Sequence, residues 1–200
     1  RLEVIGIIQN VMEHIRLQNV ICNIEKNLHA LNPEKTIPQP LPVATNRNAI
    51  STTGQYLLAE LGMISESGSN DLLYILDYLA QCDQERPFGH DFPSLKDIFN
   101  NVAIKKLDAA SPDLSEVKKE AKALEQRIRR ALFQGHIHLA SIGITDYTNP
   151  KFEEYAPKFF DFTEIRKIML DLQKNIKPSI ANSHINIKKF VKVLFLEAKK

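Results

Sequence analysis

Apolar residues recur at intervals of three and four through most of the chain, the spacing of one face of an α-helix. Over 2–31 the series runs Val4, Ile7, Ile8, Val11, Met12, Ile15, then Ile21, Ile24, Leu28 and Leu31, and predicts a helix broken near Asn19. Residues 32–48 hold Pro33, Pro38, Pro40 and Pro42 with Asn46 and Asn48, so a long Pro-rich loop is expected there. Helices are predicted over 51–64, 71–82 and 94–104, with breaks at 65–70 and 84–93. The clearest pattern covers 114–133, where Leu114, Val117, Ala121, Leu124, Ile128 and Ala131 share one face. Asp113 and Glu116 suggest a capping box at its start, and Gly135 reads as its stop. Residues 137–145 are apolar and short and fit helix or strand, and 146–160 read as a polar, aromatic link with Pro150 and Pro157.

In "DFTEIRKIMLDLQ" (161–173), Ile165, Ile168, Met169 and Leu172 form an amphipathic helix that ends near Pro178. The closing helix, 185–200, puts Ile187, Phe190, Val191, Leu194 and Phe195 on one side. No strand pattern rises above ambiguity. The reading is an all-α fold of about eight helices, a single domain over 1–200.

Composition narrows the classes. Apolar residues are 44% and charged residues 25%, ordinary globular values, and the net charge of +2 implies no strong bulk field for nucleic acid. Two cysteines, Cys22 and Cys82, exclude a disulfide-dense scaffold and favour a reducing, cytoplasmic setting. No apolar run approaches a membrane span. The chain begins at Arg1 inside an amphipathic pattern, without a Met, and reads as a fragment of a longer protein.

Candidate chemistry is sparse. His136 and His138 form an H-x-H pair that would point one way only on a strand. Arg130 and His136 match the spacing at which some helical ribonucleases hold a phosphate and move a proton, the basis of a nuclease alternative. Cys22 and Cys82 lie in apolar helical patterns and read as inert thiols. The basic run 118–130 reads as a solvated face. No phosphate-binding loop, dinucleotide fingerprint or nucleophile elbow occurs, so no cofactor or metal is expected.

Two stretches, in order, resemble the catalytic domain of Ras-type guanine nucleotide exchange factors. In 7–32 the matching residues are His14, Arg16, Asn19, Ala30, Leu31 and Asn32. In 128–173 they are Ile144, Thr145, Asp146, Asn149, Pro150, Phe162, Arg166, Lys167, Ile168 and Gln173. The resemblance implies a helical hairpin over 137–176 that projects from the body and inserts beside the nucleotide of a small, Ras-like GTPase, promoting GDP release without covalent chemistry. Ile144, Asp146, Tyr147 and Asn149 would lie near its tip, with Arg166 and Lys167 on the second arm. Tyr147 stands where the family places an apolar tip residue, and the family's Glu has no counterpart. The partner expected is that GTPase, not nucleic acid, and any membrane recruitment would come from flanks outside the chain. A helical scaffold using 32–48 and 51–104 is the other alternative.

Overall fold

In a computed structural model of the chain, residues 44–88, 92–107 and 113–200 are described, the side chains of 44–48 excepted. The first predicted helix, 2–31, and the prolines at 33–42 lie outside them. The described residues hold seven α-helices and no strand, so the all-α reading stands. They belong to one compact unit, residues 43–200.

α1 (Ala44–Glu60) starts inside the stretch where Asn46 and Asn48 suggested a loop. Its end is set by Gly62, at φ 68°. There Gly62 N–H reaches Ala59 O at 2.9 Å and Met63 N–H reaches Leu58 O at 2.9 Å, the paired bonds of a Schellman stop. A Cβ at Gly62 would lie 2.4 Å from the His138 ring, so both backbone and space demand glycine. α2 (Ser67–Glu85) and α3 (Leu95–Leu107) follow. At the start of α3, Ser94 Oγ accepts from Asp97 N–H at 3.2 Å and donates to the Asp97 carboxylate at 2.6 Å.

α4 (Leu114–Thr145) is the spine, 32 residues and about 48 Å long at 1.5 Å per residue. It runs straight through Gly135, which does not stop it. Gly135 is buried, and a Cβ there would meet Met63 Sδ at 2.8 Å and Phe160 at 3.1 Å, so the residue serves close packing. Asp113 does occupy the N-cap position, but its side chain makes no capping bond.

The expected link 146–160 contains α5 (Pro150–Phe159). Asn149 caps it, accepting from Lys151 N–H at 3.0 Å, and Pro150 fills the first turn, where a missing N–H costs nothing. Two residues later α6 (Phe162–Gln173) begins, capped by Asp161, which accepts from Thr163 N–H at 3.0 Å. It ends before Pro178, at Asn175, whose φ is 57°; Asn175 N–H bonds Leu172 O at 3.0 Å and Ile176 N–H bonds Asp171 O at 2.8 Å. A 3-10 turn (Ile180–Asn182) leads to α7 (Ile187–Ala198).

α2, α3 and α6 pack on α4, and α1 packs on α2 and α7. Leu72, Ile75 and Leu79 of α2 join Leu124, Ile128 and Leu139 of α4 in the core. At the far end the rings are continuous: Phe159 and Phe160 lie 5.5 and 5.4 Å from Phe190.

Candidate functional site

Three of the six residues singled out by the resemblance, Asp146, Asn149 and Lys167, have local structural jobs. Asp146 ends α4 and its Oδ1 accepts from both the N–H (3.0 Å) and the hydroxyl (2.8 Å) of Thr148, an Asx turn. Asn149 caps α5 as described. Lys167 Nζ donates to Asn182 O at 2.6 Å and ties α6 to the 3-10 turn.

Tyr147 and Arg166 do come together. Tyr147 is 57% exposed, with its ring 5.2 Å from Phe152. With Phe162, Arg166, Met169, Leu170 and Gln173 it lines a cavity of about 380 Å³ between the end of α4 and α6. Ile144, exposed one turn before Tyr147, does not line it. Behind this edge Ile165, Ile168 and Met169 are buried, so α6 offers one face to the core and the other to solvent.

The Arg130–His136 pair does not assemble. Six residues apart on a continuous helix, the two point about 120° away from each other. Arg130 is exposed and its Nε donates to Gln126 O at 3.3 Å. His136 is 2% exposed, its Nδ1 lies 2.7 Å from Leu132 O, and its ring sits 4.3 Å from Phe160. Burial holds its pKa below the ordinary value, opposed by the Leu132 carbonyl and by Glu164 and Asp161. The H-x-H pair fails for the same reason: on α4 His138 turns away to pack on Gly62. Among the described residues no three His, Cys, Asp or Glu side chains group as metal ligands.

Two features escape the sequence reading. Asp71, 1% exposed on α2, is held by Lys106 Nζ of α3 at 2.7 Å and Arg127 Nε of α4 at 2.6 Å. Glu120 completes the clamp, 2.7 Å from Arg127 and 3.5 Å from Lys106. The hydrogen bond to Asp71 raises the Arg127 pKa above its usual range. The second feature is charge distribution. Residues 151–200, the final quarter, carry eleven Lys and Arg against six Asp and Glu, hence +5, whereas the chain as a whole is +2. Of these cations Arg166, Lys174, Lys177, Lys188 and Lys192 are exposed and have no acidic partner among the described residues.

Comparison with known proteins places the chain elsewhere than its resemblance did. The YcbB domain model matches residues 53–194. The chain is 43% identical over 199 residues to the transcriptional regulatory protein GlnL of Bacillus subtilis (strain 168), and the match covers all of this chain and 63% of that relative's length. No solved structure matches the chain. These findings overturn the exchange-factor reading, and with it GDP release and a small GTPase partner; the nuclease and scaffold alternatives gain no support. The physical reason is visible in the matched residues. Asn149–Pro150, Asp146 and Ile168 are caps, turns and core positions that any helix of this kind requires. The other matched stretch, 7–32, falls outside the described residues. Among the described helices none is long and apolar enough to cross a membrane.

Proposed function

The chain belongs to the YcbB domain family, and from that premise we propose that it is the DNA-contacting part of a transcriptional regulator, with α6 as the helix that meets the duplex. The observation that carries this reading is the solvent face of α6, where Thr163, Arg166, Lys167 and Gln173 are exposed within the +5 final quarter of the chain. An α-helix fits the major groove of B-DNA, where Arg pairs with guanine edges and Gln with adenine edges. Lys174, Lys177, Lys188 and Lys192, without an acidic partner among the described residues, suit phosphate contacts that fix orientation without reading sequence. α5 precedes α6 by a join of two residues, which gives the order of supporting and recognition helix with a turn shorter than the usual three to four residues of a helix-turn-helix. The role in the relative's name, transcriptional regulation, supports nucleic acid as the partner, in place of the absence expected from bulk charge. Such a domain would work in the cytoplasm of a bacterium.

The test is fluorescence anisotropy with a labelled duplex of about 30 base pairs of mixed sequence, followed by selection from a random library. Binding should weaken steeply between about 50 and 200 mM salt. The double variant Lys188→Ala/Lys192→Ala should flatten the salt slope by about one for each phosphate that is no longer neutralised. Absence of binding at low salt, with the chain folded, would sink the reading.

A further inference from the structure

Away from the basic final quarter, α3 and the first half of α4 enclose a groove of about 810 Å³. Its floor is apolar: Leu95, Phe99 and Ala121 line it, and Leu114 at its mouth is 66% exposed. Its rim is cationic, with Lys96, Lys118, Lys119 and Lys122 all exposed and none paired with a carboxylate among the described residues. Among the described lining residues the single acid, Glu125, is engaged 3.4 Å from Arg129. The lysines at 118 and 122 stand one helical turn apart along one edge, with Lys96 supplied by the other helix.

We infer that this groove is a docking site for an acidic amphipathic helix of a partner protein. A groove between two helices accepts a third helix through apolar anchors at i, i+3 or i+4 and i+7. The floor supplies the apolar surface, and Leu114 would lose its exposure on binding. The rim selects the sign: carboxylates flanking the apolar stripe would face the four lysines, steering encounter and fixing orientation. Nucleic acid would satisfy the lysines but leave the apolar floor and Leu114 unmatched, so the combination favours a peptide. A second copy of this chain would have to bring an acidic helix face with an apolar stripe; its exposed faces at α6 and α7 are basic, and α5 exposes Lys151 and prolines beside Glu153 and Glu154. The inference does not depend on the DNA reading, because no groove residue belongs to α6 or α7.

The experiment uses the 200-residue chain and two designed fluorescent helical peptides. One carries Leu at helical spacing flanked by Glu; the other carries Lys in place of each Glu. The acidic peptide should bind and the basic one should not. Lys118→Glu/Lys122→Glu should weaken acidic-peptide binding at least about tenfold, as should Leu114→Ser, a change at an exposed position that leaves the core untouched. Circular dichroism melting keeps each variant's fold in view. Binding of the acidic peptide that survives both variants would overturn the proposal. So would displacement of the peptide by duplex DNA together with loss of DNA binding in Lys118→Glu/Lys122→Glu, which would make the groove a nucleic-acid surface. Concentration-dependent self-association abolished by Leu114→Ser would assign the groove to a second copy and equally overturn it.

Discussion

Two groups of cations in this chain meet different ends. Lys106 and Arg127 close on Asp71, a carboxylate 1% exposed at the junction of α2, α3 and α4. Arg166, Lys174, Lys177, Lys188 and Lys192 stand in water on the final quarter of the chain, with no acidic partner among the described residues. The difference lies in what each has surrendered. A cation fixed on a buried carboxylate has given up part of its hydration and its rotamer freedom, and removing its partner strands a charge. An unpaired surface cation has given up neither, and it can exchange its counterions for the phosphates of a ligand. The first group holds three helices in register. The second is free for a partner.

The largest break in that contrast should come from Asp71→Asn. It keeps the shape of the side chain and removes the charge between two cations. Folding stability should fall by about 3 kcal/mol, toward the low end for a broken buried pair because Lys106 and Arg127 stay partly hydrated. Urea denaturation reads it directly, and DNA affinity of the folded fraction should not move. Next comes Gly68→Ala. A Cβ there would lie 2.4 Å from the Arg127 carbonyl, a backbone atom that cannot turn aside. α2 and α4 would have to part, at a cost of about 1–2 kcal/mol despite the better helix propensity of Ala. If thermal melting shows no loss, the α2–α4 approach does not set the 2.6 Å Asp71–Arg127 distance. Arg166→Ala should do the reverse of both, leaving stability within about 0.5 kcal/mol while weakening DNA binding about tenfold. Equal losses in both measurements would place Arg166 with the structural cations.

The asymmetry also explains what can be read from the residues alone. Helical spacing finds α2, α3, α6 and α7 to within a few residues, because each buries a regular apolar face. It stops α4 too early, at Gly135. The apolar series continues through Leu132, Leu139 and Ala140, and the glycine answers to Met63 and Phe160, which lie far off in sequence. Asn149–Pro150 is a legible start signal for α5, obscured by Pro157 within the same short helix. The Asp71 clamp is not legible. Asp71 and Asp77 flank the same apolar run, yet one is buried and the other exposed, and the partners of Asp71 sit 35 and 56 residues away. The resemblance to exchange factors is built from caps and core spacings, which report helices and not partners. The charge gradient toward the C-terminus is readable in the residues, but a net charge of +2 over the whole chain averages it out.

His136 offers the smallest and sharpest refinement, because it is a potential cation whose charged form burial disfavours. It is buried on α4 beside Phe160, and its folded pKa lies below the ordinary 6.5 because burial disfavours the imidazolium. Above that ordinary value the ring is neutral in both states and the folded chain is at full advantage. As pH falls below it, the unfolded chain takes up a proton that the folded chain accepts only at lower pH, so stability declines until the folded ring titrates as well. The slope from this one group cannot exceed about 1.4 kcal/mol per pH unit. Melting temperature should therefore drop between about pH 7 and pH 5.5, and His136→Leu should flatten that drop. Glu164 and Asp161 temper the effect by attracting the proton, so Glu164→Gln should steepen it. An unchanged slope in His136→Leu would mean that a different group titrates in this window, and that burial on α4 is not what separates this histidine from the solvated cations of the final quarter.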